Sequence, residues 1–191
     1  MPAPEYDSCR DRIIRTRRRD FLRYGFMSAA GLLAAPVFAA RHRSGERALS
    51  LSNTHTGERV CAVYWADGSY LDAGLDSINN VLRDHRTGAV CGMDTGLLDL
   101  LFVLHSTLGG REAFQVISGY RSPATNAALH AGSSGVARNS FHIRGMAIDI
   151  RLPGCELAEL HRAALSLSAG GVGYYPDSDF VHVDTGPVRN W

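Results

Sequence analysis

Between residues 72 and 83, Leu75, Ile78, Asn79 and Leu82 recur at intervals of three and four, the spacing of one helix face, and Gly88 follows soon after. The period returns in DTGLLDLLFVLHSTL (94–108), where Leu97, Leu100, Leu101, Leu104 and Leu108 share a stripe and Asp94 stands at the capping position. SPATNAALHA predicts a third helix with Pro123 in its first turn, and residues 156–168 a fourth. Elsewhere the period is two. Apolar and polar residues alternate on both sides of a Thr-Gly turn across 49–65, which predicts a β-hairpin. AFQVISGY, the stretch around 145–150, GVGYY and DFVHVD read as short strands, with a Gly/Ser loop at 132–135. Strands and helices are interspersed without a regular βαβ rhythm, so the expected class is α+β: a small, mainly antiparallel sheet with helices packed on one side.

Composition changes this picture only at the N-terminus. The chain has 191 residues, 45% of them hydrophobic, enough for one core. Its 20 basic residues are all arginine and nearly balance 19 acids, but seven of them fall within residues 10–23. No basic stripe remains beyond that point, so no nucleic-acid partner is expected. The cluster leads into a weakly hydrophobic stretch, Phe26 to Ala35, and small residues around Ala39, the layout of a secretory signal. Within it, RRDFLR (18–23) resembles the twin-arginine signal, which implies the twin-arginine translocase as an export partner. The apolar stretch is too short and too rich in Ala and Gly for a stable membrane span. The expected organisation is a signal at 1–39, a linker at 40–48 and one domain at 49–191, working in the periplasm or cell envelope. Of four cysteines, Cys9 falls in the signal, and Cys61, Cys91 and Cys155 lack the CxxC spacing of a structural zinc site. Buried thiols are expected, with Cys61–Cys91 as the one candidate bridge.

Chemistry concentrates in two places. In SFHIRGMAIDI (140–150), Ala147 and Asp149 point to one side of the predicted strand and Ile148 and Ile150 to the other, with His142 just before it and Gly145 letting the chain turn close by. In DFVHVD, Val181 and Val183 face the core while Phe180, His182 and Asp184 share the opposite face. Two histidines and one carboxylate, His142, His182 and Asp149, make a three-ligand set of the composition found in catalytic zinc sites. A histidine near an aspartate is otherwise a hydrogen-bonded pair. His55, His85, His105, His130 and His161 lack partnered spacing and are expected to be solvated or satisfied locally.

SFHIRGMAID matches the S-x-H-x-x-G-x-A-x-D signature of the LAS metallopeptidases, a superfamily spanning lysostaphin, D-alanyl-D-alanine carboxypeptidases and Sonic hedgehog, at Ser140, His142, Gly145, Ala147 and Asp149. SGYRS (118–122) resembles the arginine-bearing segment of the carboxypeptidase branch, and GGVGYYPDSDFVHVDTGPVRNW is similar to the last block of the YcbK-like (MepK-like) murein endopeptidases. The resemblance covers about residues 46–191. It implies a hedgehog/D-Ala-D-Ala-peptidase-like fold and one Zn²⁺ per chain on His142, Asp149 and His182, with water in the fourth position. It implies hydrolysis of amide bonds in peptidoglycan stem peptides or their crosslinks, endopeptidase rather than carboxypeptidase in type. Arg121 would bind the substrate carbonyl or stabilise the oxyanion, with a surface salt bridge as its alternative. Ser140 would bond substrate or cap the backbone. For the base, the carboxypeptidase branch has glutamate three residues before the last histidine and another branch a histidine two before it. Here those positions hold Asp179 and Phe180. Asp179 is the first candidate and Asp184 the second, the other then orienting a ligand. The competing reading is a non-catalytic, zinc-stabilised binding module, which needs the same ligands but no base.

Overall fold

β-Branched and aromatic runs with a period of two pair into one sheet in the computed structural model, which describes residues 45–132 and 135–191. The strands are β1 (Arg47–Asn53), β2 (Arg59–Ala66), β3 (Ser69–Tyr70), β4 (Phe114–Ser118), β5 (Ala147–Arg151), β6 (Gly171–Tyr175), β7 (Phe180–Asp184) and β8 (Arg189–Asn190), in the order β3-β2-β1-β4-β5-β7-β6-β8. Five of the seven pairings are antiparallel; β1–β4 and β6–β8 are parallel. The helices are α1 (Asp72–Val81), α2 (Thr95–Thr107), α3 (Pro123–Gly132) and α4 (Leu157–Leu167). The architecture is the expected α+β one. The first strand begins at Arg47, two residues ahead of the expected hairpin. The twin-arginine segment and its cleavage point lie outside the described residues.

Alternation along the strands divides the sheet into an oily face and a chemical face. Leu49, Leu51, Phe114, Val116, Ile148, Ile150, Val181 and Val183 are buried on the core side with Leu97, Leu101 and Leu104 of α2 and Leu160 of α4. Each such side chain contributes roughly 1.5–3 kcal/mol by leaving water. Asp94 caps α2 as expected, its side chain accepting the Leu97 amide at 3.0 Å. No helix among the described residues is long and apolar enough to cross a membrane.

The cysteine expectation needs correcting. Cys91 and Cys155 are free thiols, so the Cys61–Cys91 bridge does not form. Cys61 sits in β2 on its exposed face, whereas Cys91 lies half-buried in the loop before α2. A disulfide demands a specific approach of two Cβ atoms, and the count of cysteines carries no such information.

Candidate metal centre

The chemical face gathers its groups at the middle strands. In the β5–β7 ladder Asp149 lies directly opposite His182, and in the β4–β5 ladder a register shift between Val116 and Ser118 sets Ser118 opposite Asp149. His142 reaches the same point from a 3₁₀ turn, Phe141–Arg144. That turn is capped by Ser140, whose Oγ accepts the His142 amide at 3.3 Å. Gly145 ends the turn in the left-handed region (φ 67°), and a Cβ there would come within 2.6 Å of the Gly92 carbonyl oxygen. Only glycine lets the chain double back here.

The three facing atoms form a small triangle. His142 Nε2 is 3.3 Å from His182 Nδ1 and 3.2 Å from Asp149 Oδ1, and His182 Nδ1 is 2.8 Å from that oxygen. All three residues are buried. Each is also gripped from behind. His142 Nδ1 donates to the Gly119 carbonyl at 2.7 Å, His182 Nε2 donates to Asp184 Oδ2 at 3.0 Å, and Asp149 Oδ2 accepts Arg121 Nη2 at 2.5 Å. A carbonyl only accepts, so the His142 proton sits on Nδ1 and its Nε2 lone pair turns inward; Asp184 fixes His182 the same way. Lone pairs and a carboxylate oxygen therefore converge with few protons to share, which is unfavourable unless a cation sits among them. Tetrahedral zinc with bonds of about 2.0–2.2 Å sets its ligand atoms roughly 3.3 Å apart, and this donor set fits it.

The electrostatics point the same way. Burial lowers the His142 pKa and keeps the ring neutral. Burial would raise Asp149, but the two imidazoles outweigh it and hold the carboxyl below its usual range. For His182 burial again opposes the charged form, while Asp149 and Asp184 raise its pKa, so a proton can bridge His182 and Asp149 until a cation replaces it.

The two candidate bases are sorted into different surroundings. Asp184 is fully buried and takes hydrogen bonds from His182, Arg189 (2.6 and 3.2 Å), the Gly171 amide (3.1 Å) and the Gly186 amide (2.8 Å). These occupy about all the lone pairs a carboxylate has. Asp179, on the exposed turn before β7, pairs with Arg151. Arg151 lies two residues from Asp149 on the same face and is itself held by Gln115 Oε1 at 2.5 Å. Arg121, expected to meet substrate, bonds Ser118 Oγ through Nε at 2.8 Å besides holding Asp149. Of the remaining histidines, His55, His105 and His130 bond backbone carbonyls, His85 stacks on His55, and His161 stacks on Tyr174.

Sequence reasoning missed three supports. One is the Gly119 carbonyl, which no side-chain pattern advertises. Another is Arg189, a lone cation in PVRNW that grips Asp184. The third is Asp84, buried in the turn RDHRTG: its Oδ2 accepts the Ser122 amide at 2.9 Å and its Oδ1 the Arg86 amide at 2.9 Å. Together with the Tyr120 amide on the Leu82 carbonyl (2.8 Å), this fastens the loop that carries Arg121. An aspartate three residues ahead of a Thr-Gly pair was the available signal.

Asp84 gives a stability prediction. Burial pushes its pKa up, but the hydrogen bonds from the 122–125 turn and Arg86 outweigh this and hold it well below the usual carboxylate range. Asp84→Ala strands buried amides and should lower unfolding stability by about 1–3 kcal/mol. A depressed pKa stabilises above the unfolded value, near 4, and that contribution fades as pH falls toward the folded value. Thermal melts should therefore show a gap between wild type and variant at neutral pH that narrows in acid.

Comparison with known proteins agrees with this geometry. The chain is 42% identical over 181 residues to the peptidoglycan L,D-endopeptidase MepK of Escherichia coli K12, covering 95% of this chain and all of that protein. The match to the Shigella flexneri protein of the same name has the same extent. A probable peptidoglycan L,D-endopeptidase MepK of Haemophilus influenzae Rd is 42% identical over 168 residues, 87% of this chain and 90% of the relative. Residues 41–191, which include every group of the centre described above, match the family Peptidase_M15_2, described as peptidoglycan L,D-endopeptidase MepK, and the chain belongs to that family.

Proposed function

We propose that this protein is a zinc-dependent L,D-endopeptidase of peptidoglycan, hydrolysing amide bonds in murein peptide crosslinks. His142, Asp149 and His182 are its metal ligands and Asp179 its general base. The observation that carries the proposal is the inward triangle of two imidazole nitrogens and one carboxylate oxygen, each residue oriented from behind. Family membership supports the substrate class and a metallopeptidase mechanism.

Bound there, Zn²⁺ supplies Lewis acidity to the scissile carbonyl and to water. The chain's own groups do the rest. Asp179 takes the proton of the attacking water on its carboxylate and returns it to the departing amine. Arg151 pairs with that carboxylate and ties it to the β5 strand that also carries Asp149. Arg121 anchors Asp149 and offers its outer guanidinium face to the carbonyl oxygen as negative charge grows there.

The test is digestion of purified sacculi. Zinc-loaded protein should release peptide-cleaved fragments, chelation should stop release, and added Zn²⁺ should restore it. Intact binding without any fragment would favour the non-catalytic binding module instead.

A cell-wall substrate sets the work outside the cytoplasm, and the RRDFLR segment supports twin-arginine export. Replacing both Arg18 and Arg19 by lysine should leave uncleaved precursor in the cytoplasm. Normal processing and export of that double variant would disprove the route.

A further inference from the structure

On its chemical face β6 carries Gly171, Gly173 and then Tyr175. The two glycines leave a bare floor, and the side chains of Arg189 and Trp191, from the segment paired along the edge of β6, reach over it. A Cβ on Gly173, the residue opposite His182, would meet the Trp191 and Tyr175 rings at 2.8 Å; one on Gly171 would meet Arg189 and Asp184 at 2.6 Å. The segment is held in register. Arg189 and Asn190 pair with Gly171 and Val172, the Trp191 amide donates to the Val172 carbonyl at 3.2 Å, and the Tyr174 amide donates to the Trp191 carbonyl at 3.0 Å. The indole itself is pinned: Nε1 donates to the Tyr175 hydroxyl at 2.7 Å, and the Arg189 guanidinium lies 5.0 Å from the ring centre.

So fixed, the indole has its centre 5.3 Å from the His182 ring and remains 49% exposed. It is a rigid apolar surface beside a metal ligand, not part of the core. Phe180 and Tyr175, stacked at 4.6 Å, continue it along the same edge. Across the ligands the chemical face is polar, with Arg121, Arg151 and Asp179. A peptide whose amide lies over the triad would thus meet polar groups on one side and aromatic carbon on the other. At about 3.3–3.6 Å per extended residue, the indole lies within about two residues of a carbonyl held at the triad.

We propose that Trp191 is a specificity-determining wall beside the triad, packing on the aliphatic side chain of the residue that flanks the scissile amide, rather than on a sugar ring of the glycan strand. This rests on the peptidase reading above.

The protein's only other tryptophan is Trp65, on β2 at the far end of the sheet from β6. Zinc-loaded Trp65→Phe protein therefore reports on Trp191 alone. Its fluorescence should become shielded from acrylamide on adding crosslinked stem peptide, and not on adding the peptide-free disaccharide. Shielding by the disaccharide and not by the peptide would overturn the proposal. In turnover, Trp191→Ala should raise KM about 10–100-fold, with kcat, zinc content and melting temperature close to wild type, and Trp191→Phe should recover most of the loss. An unchanged KM, or loss of zinc in place of a KM effect, would reduce Trp191 to a prop for His182. A wild-type protein that never cleaves would sink the peptidase reading, whereas the fluorescence arm would still judge the wall.

Discussion

His142→Ala, His182→Ala and Asp149→Asn should each lose most bound zinc and drop kcat/KM by on the order of 10³-fold or more. The size follows from what a bound cation contributes, several kcal/mol of charge stabilisation at about 1.36 kcal/mol per tenfold in rate. Three donors within 3.3 Å of one another cannot hold a tetrahedral ion when one is gone, because nothing else buried faces the same point among the described residues. Asp149→Asn is the better variant at that position. It removes the charge while keeping the shape and an acceptor oxygen, whereas alanine would also leave Arg121 Nη2 without a hydrogen-bond acceptor there. His182→Ala additionally leaves the buried Asp184 with Arg189 as its one remaining side-chain hydrogen-bond partner among the described residues. His105 makes the control: its Nε2 bonds the Glu112 carbonyl at 2.8 Å at the end of α2, so His105→Ala should keep both zinc and activity. Elemental analysis beside kinetics decides the matter. A full equivalent of zinc in the His182→Ala protein would remove that residue from the centre.

Much of this centre could be read from the chain because its logic is local. Alternation in DFVHVD placed His182 and Asp184 on the face opposite Val181 and Val183, and the sheet keeps that division. The Asp94 cap and the leucine stripe of α2 obey rules written within four residues. What stayed hidden depends on partners distant in sequence. Alternation says which way a side chain points but not which strand lies beside it, so the parallel pairings β1–β4 and β6–β8 were out of reach. With them went the Arg189–Trp191 segment paired along the edge of β6. Arg121 shows the same limit: its residue type suited an oxyanion donor, while its position sets one arm against Asp149. The failed Cys61–Cys91 pairing came from counting residues without geometry.

The sharpest functional contrast lies between two aspartates five residues apart. Asp179→Asn should lower kcat by about 10²–10⁴-fold while leaving zinc content and substrate affinity in place, because a base that does not touch the ion can be lost without loosening it. Asp179 is exposed, and its carboxylate meets Arg151, whose own strand also carries Asp149. Asp184 has the opposite surroundings. Its oxygens are filled by His182, Arg189 and two amides, which leaves no site for a travelling proton. Burial would raise its pKa, yet His182 and Arg189 hold it well below the carboxylate range, so it stays an anion behind the ligand. Asp184→Asn should therefore loosen His182, weaken zinc affinity about 10–100-fold and recover part of its activity in excess metal. Its melting temperature should fall as well, since several buried donors lose a charged acceptor. Asp179→Asn should show neither the zinc rescue nor the thermal loss. Turnover, zinc content and melting measured together on both variants separate the roles: the reverse pattern exchanges them, and full turnover by both at saturating zinc removes a carboxylate base from this edge of the sheet.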